Sequence, residues 1–106
     1  MQLGFTLYED MVFDGGQVTN ASFADYKIPG FRDVPPMESD VVAAAQETGP
    51  FGAKGIGESA TFGVSPAIAN AIHDAIGIRM TELPIKPEAI LRALRVAEGR
   101  PLAEDE

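Results

Sequence analysis

A small mixed α+β fold is what this sequence predicts, and three observations carry it. Two stretches towards the C-terminus repeat apolar residues at helical spacing between recognisable start and stop residues. A tight Asp14-Gly15-Gly16 turn separates two short apolar runs, the signature of a β-hairpin. Between these regions, prolines at 29, 35 and 36 prevent any long regular element. The expected order is an N-terminal helix, a hairpin, a proline-rich loop, a candidate strand and two C-terminal helices.

Each element has a local reason. In LGFTLYEDMVF, Leu3, Leu7 and Met11, with Phe5, Tyr8 and Val12 beside them, recur at helical spacing and predict an amphipathic helix of about two to three turns. Met11 to Phe13 and Gln17 to Thr19 flank the glycine turn as short strands. Residues 20–37 form a loop expected to be pinned by Phe23 and Tyr26. Residues 38–47, ESDVVAAAQE, are compatible with one extended strand, although their three alanines favour helix as readily. Ser65 is a suitable N-cap, Pro66 suits the first helical position and Gly77 the C-terminal cap. Ile68, Ile72 and Ile76 then mark the buried face, flanked by Ala69 and Ala75. In the last helix Pro87 opens, Glu88 complements the macrodipole and Gly99 follows the final turn, with Ile90, Leu91, Leu94 and Ala97 as its stripe. The closing PLAEDE is expected to be polar and frayed.

Composition bounds the function. A chain of 106 residues supports one domain, spanning 1–106, with a single modest core. Its net charge of −8 supplies no basic face for phosphates, so neither nucleic acid nor an anionic membrane is an expected partner. No apolar run approaches a membrane span, and MQLGFTLYED lacks the basic flank and apolar core of a signal peptide, so a cytoplasmic location is expected. Zero cysteines exclude a disulfide, a thiolate zinc site and an iron–sulfur cluster within the chain. A single histidine makes a histidine-built metal site a poor reading as well. His73 lies beside the isoleucine stripe and is best read as a half-exposed structural residue.

The chemistry concentrates in GPFGAKGIGESATFG, residues 49–63, where five glycines surround Lys54 and Glu58. Gly55, Gly57 and Ala60 satisfy G-x-G-x-x-A by letter, but no apolar strand precedes them and a carboxylate at 58 would repel phosphate. Nucleotide binding is therefore rejected. Glycine is costly to order, so such a cluster signals positive φ or the close approach of another group. Two readings of Glu58 stay open on spacing alone. It is either a carboxylate held at fixed geometry beside a planar ligand, or a dipole-complementing glutamate at a helix start. Lys54 is either a surface cation or an electrostatic prop near an anion.

Taken together, GPFGAKGIGESATFGVSPAIANAIHDAIG and IRMTELPIKPEAILRAL resemble the C-terminal end of the molybdenum-binding subunit of the xanthine dehydrogenase and aldehyde oxidase family. LYEDMVFDGGQVTNASFADYKIPGFRDVPP resembles the segment before it, so the resemblance spans residues 3–98. It implies that Glu58 is the active-site base of a molybdenum hydroxylase that inserts oxygen from water into an sp² carbon. It implies also that Ala53, Lys54, Gly55, Ile56 and Gly57 approach a molybdopterin-type molybdenum cofactor, mainly through backbone. The family's glutamine before the first helix falls on Met1, so Gln2 takes over no such role, and Lys86 stands where a serine or threonine N-cap is usual. The implied partners are the remaining molybdopterin-binding domain, iron–sulfur and flavin subunits or domains, and a small-molecule substrate. By itself the chain is expected to hold no cofactor and to self-associate, as a homodimer, through uncovered apolar surface. The reading is a split, truncated or excised piece of such an enzyme, and its rival is a stand-alone interaction module that keeps the fold without catalysis.

Overall fold

In a computed structural model, which describes residues 1–100, the chain begins with helix α1, Gln2–Leu7, followed by strands β1, Phe13–Asp14, and β2, Gln17–Val18. Helices α2, Val64–Ile76, and α3, Pro87–Ala97, complete the regular structure, with short 3₁₀ turns at Pro50–Gly52 and Ser59–Thr61. This is the mixed α+β order expected from the sequence. The acidic end, residues 101–106, lies outside the described residues.

Helix α1 is shorter than its apolar spacing implies. The N–H groups of Tyr8 and Glu9 both donate to the Gly4 carbonyl at 2.9 Å, which closes the hydrogen-bond ladder. Downstream, Asn20 clamps the backbone, donating to the Asp10 carbonyl at 2.6 Å and accepting from Val12 N–H at 2.9 Å. This fixes the base of the hairpin, where Phe13 pairs with Val18 and Asp14 with Gln17. Gly15 and Gly16 take φ of +53° and +82°, as a two-residue type I′ turn requires. Gly4 is glycine because a Cβ there would collide with the Glu9 carboxylate and lie 3.1 Å from Pro29 Cδ.

The loop after the hairpin folds back through Tyr26, whose hydroxyl donates to Glu9 Oε2 at 2.8 Å. Phe23, expected to share that role, is 79% exposed and only lines an open cleft with Met11, Val18 and Tyr26. The turn at Ser22–Asp25 is closed by Asp25 and Tyr26 N–H donating to the Ser22 carbonyl and by the Ser22 hydroxyl donating to Asp25 Oδ2, none of which involves the Phe23 ring. The candidate strand at 38–47 is irregular and exposed throughout, since no described strand lies alongside to pair with it.

Helix α2 starts a residue before its expected cap. Gly63 supplies the first carbonyl, to Ala67 N–H at 3.1 Å, so Ser65 is inside the helix rather than at its N-cap. Pro66 is tolerated there because the first-turn N–H groups have no intrahelical partner to lose. The Ser65 hydroxyl is thereby free to face α1, where Gln2 Nε2 donates to it at 2.5 Å and Thr6 Oγ1 lies 2.7 Å away. Ile68, Ile72 and Ile76 are half-buried, and Gly77 ends the helix at φ +72°, its N–H donating to the His73 carbonyl.

The core lies where α1 meets the strap before α3. Thr6 is fully buried, Ile85 is 2% exposed, and Ile85 N–H donates to the Thr6 carbonyl at 2.6 Å. The strap contains a cis Leu83–Pro84 bond. Lys86, which offers α3 no side-chain cap, instead pairs its ammonium with Asp10, tying the helix start to the segment after α1. Ile90 and Leu94 are half-buried, whereas Leu91 and Ala97 of the same predicted stripe face outward. The whole is open: the radius of gyration is 18.9 Å, against about 13 Å for a compact domain of this size.

Candidate active site

The glycine-rich segment runs from one 3₁₀ turn to the next. Its entry is tight, with Phe51 and Gly52 at φ of +55° and +73°, and Ala53 N–H donates to the Pro50 carbonyl at 3.0 Å. At its exit Glu58 precedes the turn Ser59–Thr61, and its carbonyl accepts from Thr61 N–H at 3.0 Å and Thr61 Oγ1 at 2.8 Å. The backbone of Glu58 is therefore held, while its side chain is left exposed. Helix α2 begins a few residues later and anchors this exit to the α1–α2 junction.

Between those turns the main chain is bare. The N–H groups of Lys54, Gly55, Ile56, Gly57 and Glu58 have no hydrogen-bond partner among the described residues. A Cβ on Gly55 or Gly57 would meet nothing within 4 Å, and Gly57 has φ +39°. Here glycine serves backbone conformation and outward access, not packing inside the chain. Neither the Glu58 carboxylate nor the Lys54 ammonium has an ion-pair or hydrogen-bond partner among the described residues.

All six sequence-predicted site residues, Ala53 to Glu58, are exposed and lie on one continuous loop. His73 is half-buried on α2, in keeping with a structural role. No group of three or more His, Asp or Glu is placed to hold a metal ion among the described residues, and no helix there is long and apolar enough to cross a membrane. The loop instead fits a group approached through main-chain donors: consecutive free N–H groups, two open glycines and one unpaired carboxylate. Sequence reasoning missed the Gln2–Thr6–Ser65 junction that fixes α2. Its residues stand 59 and 63 positions apart, and no periodicity links them.

Comparison with known proteins adds the ancestry. Residues 1–35 match the family model described as a molybdopterin cofactor-binding domain. The chain is 33% identical over 99 residues to a xanthine dehydrogenase molybdenum-binding subunit of Escherichia coli O157:H7, covering 92% of this chain and 13% of that protein. It is 37% identical over 100 residues to an aldehyde oxidoreductase molybdenum-binding subunit of Escherichia coli K12, covering 89% and 13%. Among solved structures, quinoline 2-oxidoreductase from Pseudomonas putida 86 shares 31% identity at a TM-score of 0.76, over 91% of this chain and 12% of that one. Matches of such extent take in the glycine-rich loop, beyond the reach of the family model. The chain belongs to the xanthine dehydrogenase and aldehyde oxidase family of molybdenum-binding subunits, and spans about one-eighth of the length of the relatives it matches.

Proposed function

We propose that this chain supplies the catalytic base and one wall of the cofactor site to a molybdenum hydroxylase, as the C-terminal part of its molybdopterin-binding region. The observation that carries the reading is the pairing of five unpartnered N–H groups at 54–58 with an exposed carboxylate on the last of those residues. Lys54, Gly55, Ile56 and Gly57 would hold the cofactor's polar edge through backbone donors. Ala53, whose N–H is already used, sets the direction of entry. When bound, the molybdenum cofactor supplies the two-electron redox chemistry that carbon hydroxylation needs. Lys54 adds positive charge beside that anionic group.

Glu58 is the residue that moves the proton. A general base must lie within hydrogen-bond reach of the proton it takes, about 2.6–3.2 Å between heavy atoms. Its backbone is fixed by Thr61 and its carboxylate is committed to no internal partner, so the oxygens are available to accept that proton. The remaining molybdopterin-binding domain would close the site and exclude water. Iron–sulfur and flavin partners would take the electrons onward, in a soluble cytoplasmic assembly acting on a small molecule.

The reading is tested by Glu58→Gln in the assembled, cofactor-loaded enzyme. The amide keeps the shape and loses the basicity, so molybdenum content is expected to stay unchanged while turnover falls by ~10²–10⁴, the worth of a positioned base. Turnover within threefold of wild type removes Glu58 from the role.

A further inference from the structure

The hairpin tip takes no part in the proposed site, yet it carries a reactive pair. Asp14 alone among the aspartates of the chain is followed by glycine. Its carboxylate has no hydrogen-bond or ion-pair partner among the described residues, and Gly15 N–H has no backbone partner there. A Cβ added to Gly15 or Gly16 would meet nothing within 4 Å, so the tip stands in open space. Glycine at 15 matters chemically as well as conformationally. A residue without Cβ leaves its backbone nitrogen open to the approach of another group.

The closed hairpin restrains this pair only weakly. β1 and β2 hold two residues each, and Phe13, Asp14, Gln17 and Val18 are all exposed. They form a sheet of their own, with no third strand beside them among the described residues. Such hairpins are marginal in water, and the opening of so peripheral a unit costs little free energy. Pairing with Gln17 keeps Asp14 extended, and opening frees its carboxyl carbon to swing round to the Gly15 nitrogen. Below the tip the backbone is better held, by Asn20 on Asp10 and Val12 and by Thr19 N–H on the Val12 carbonyl at 2.9 Å. The opening is thereby confined to the turn.

We infer that Asp14–Gly15 is a modification site, where aspartate isomerises to isoaspartate from the opened hairpin. With the Asp14 carboxyl protonated from solvent, the Gly15 nitrogen attacks Cγ. The N–Cγ bond forms, the Cγ–OH bond breaks, and the hydroxyl leaves with the amide proton as water, which closes a succinimide ring. Water then adds back. Breaking the N–Cγ bond restores aspartate, whereas breaking the bond from nitrogen to the former backbone carbonyl carbon gives isoaspartate. In that product the main chain runs through the side-chain methylene, and the old backbone carbonyl has become a free carboxylate. A two-residue turn has no room for the added carbon, so the pairing of Phe13 with Val18 and Asp14 with Gln17 is not recovered. The new carboxylate is the group that isoaspartyl carboxyl methyltransferases recognise and methylate with S-adenosylmethionine, and such an enzyme is the partner this site takes.

The test incubates the 106-residue chain at neutral pH below its melting temperature and follows its peptides by reversed-phase separation and electron-transfer fragmentation, which tell the two isomers apart at equal mass. The peptide bearing Asp14 is expected to split into two species, through an intermediate lighter by one water, while those bearing Asp25, Asp33, Asp40 and Asp74 stay single. Gly15→Ala is expected to slow the conversion even though it strains the turn at φ +53°. Gln17→Pro, which removes the ladder donor opposite Asp14, is expected to speed it. Methyl label from S-adenosylmethionine should enter the aged chain and neither the fresh chain nor aged Asp14→Ser. Isoaspartate that forms at Asp14 no faster than at the other aspartates, or only after the chain is unfolded in urea, overturns the inference. A rate that Gln17→Pro leaves unchanged overturns the opening step on which it depends.

Discussion

Replacing Thr6 by valine tests whether the junction between α1 and α2 is held by hydroxyl chemistry. Thr6 is fully buried, its hydroxyl donates to the Gln2 carbonyl at 2.7 Å, and it lies 2.7 Å from Ser65 Oγ. Thr6 spends its one hydroxyl proton on the Gln2 carbonyl, so Ser65 is the donor between the two hydroxyls, while its oxygen accepts from Gln2 Nε2 at 2.5 Å. Valine keeps the β-branched shape and nearly the same helix propensity, which isolates the hydroxyl. Two hydrogen bonds are lost at about 0.5–1.5 kcal/mol each, so Thr6→Val is expected to cost roughly 1–3 kcal/mol. Urea denaturation followed by circular dichroism measures that directly, and a fall in Tm of about 4–8 °C per kcal/mol should accompany it. Because the two variants share one bond, Thr6→Val and Ser65→Ala together should cost less than the sum of the singles, by about 0.5 kcal/mol or more. A single-variant cost near zero, or strict additivity, refutes the network.

Gly77→Ala forces a side chain onto φ +72° with nothing nearby to clash, so backbone strain alone should cost about 1–2 kcal/mol in the same assay. Tyr26 holds its proton above the ordinary value near 10, chiefly through its hydrogen bond to Glu9, then through desolvation and the charges of Glu9 and Asp10. Its contribution to stability is therefore complete below pH 10 and is lost as pH rises through the folded-state value, a dependence that Tyr26→Phe should remove. The chain alone exposes 8853 Å², against about 5,700 Å² for a compact protein of its mass. It is expected to bind a hydrophobic dye and to sediment above monomer mass at micromolar concentration, and a clean, dye-free monomer would contradict that.

Elements with strong local punctuation were readable from sequence, because their determinants lie within a few residues. Pro87 and Gly99 bracket α3, Gly77 ends α2, and the Gly15-Gly16 turn fixes the hairpin register. What sequence could not show depended on distant partners. Ser65 looks like a cap by its neighbours, yet Gln2 and Thr6, 63 and 59 residues away, recruit it inside the helix. Phe23 looks like an anchor by its size, while the smaller polar contact of Tyr26 with Glu9 does the anchoring. The site loop was recognisable as a glycine cluster with one carboxylate. Its bare N–H groups required the structure, because a hydrogen-bond partner is not a property of one residue.

The most direct measurement is an experimental structure of the cofactor-loaded subunit containing this chain. A Glu58 carboxylate oxygen is expected within about 2.6–3.2 Å of a proton-bearing group at the molybdenum centre, the reach of a general base. The N–H groups of residues 54–57 are expected to face the cofactor. A Glu58 side chain turned to solvent, or a cofactor seated against another part of the subunit with residues 53–58 remote from it, would rule out this loop as the base-bearing wall of the site.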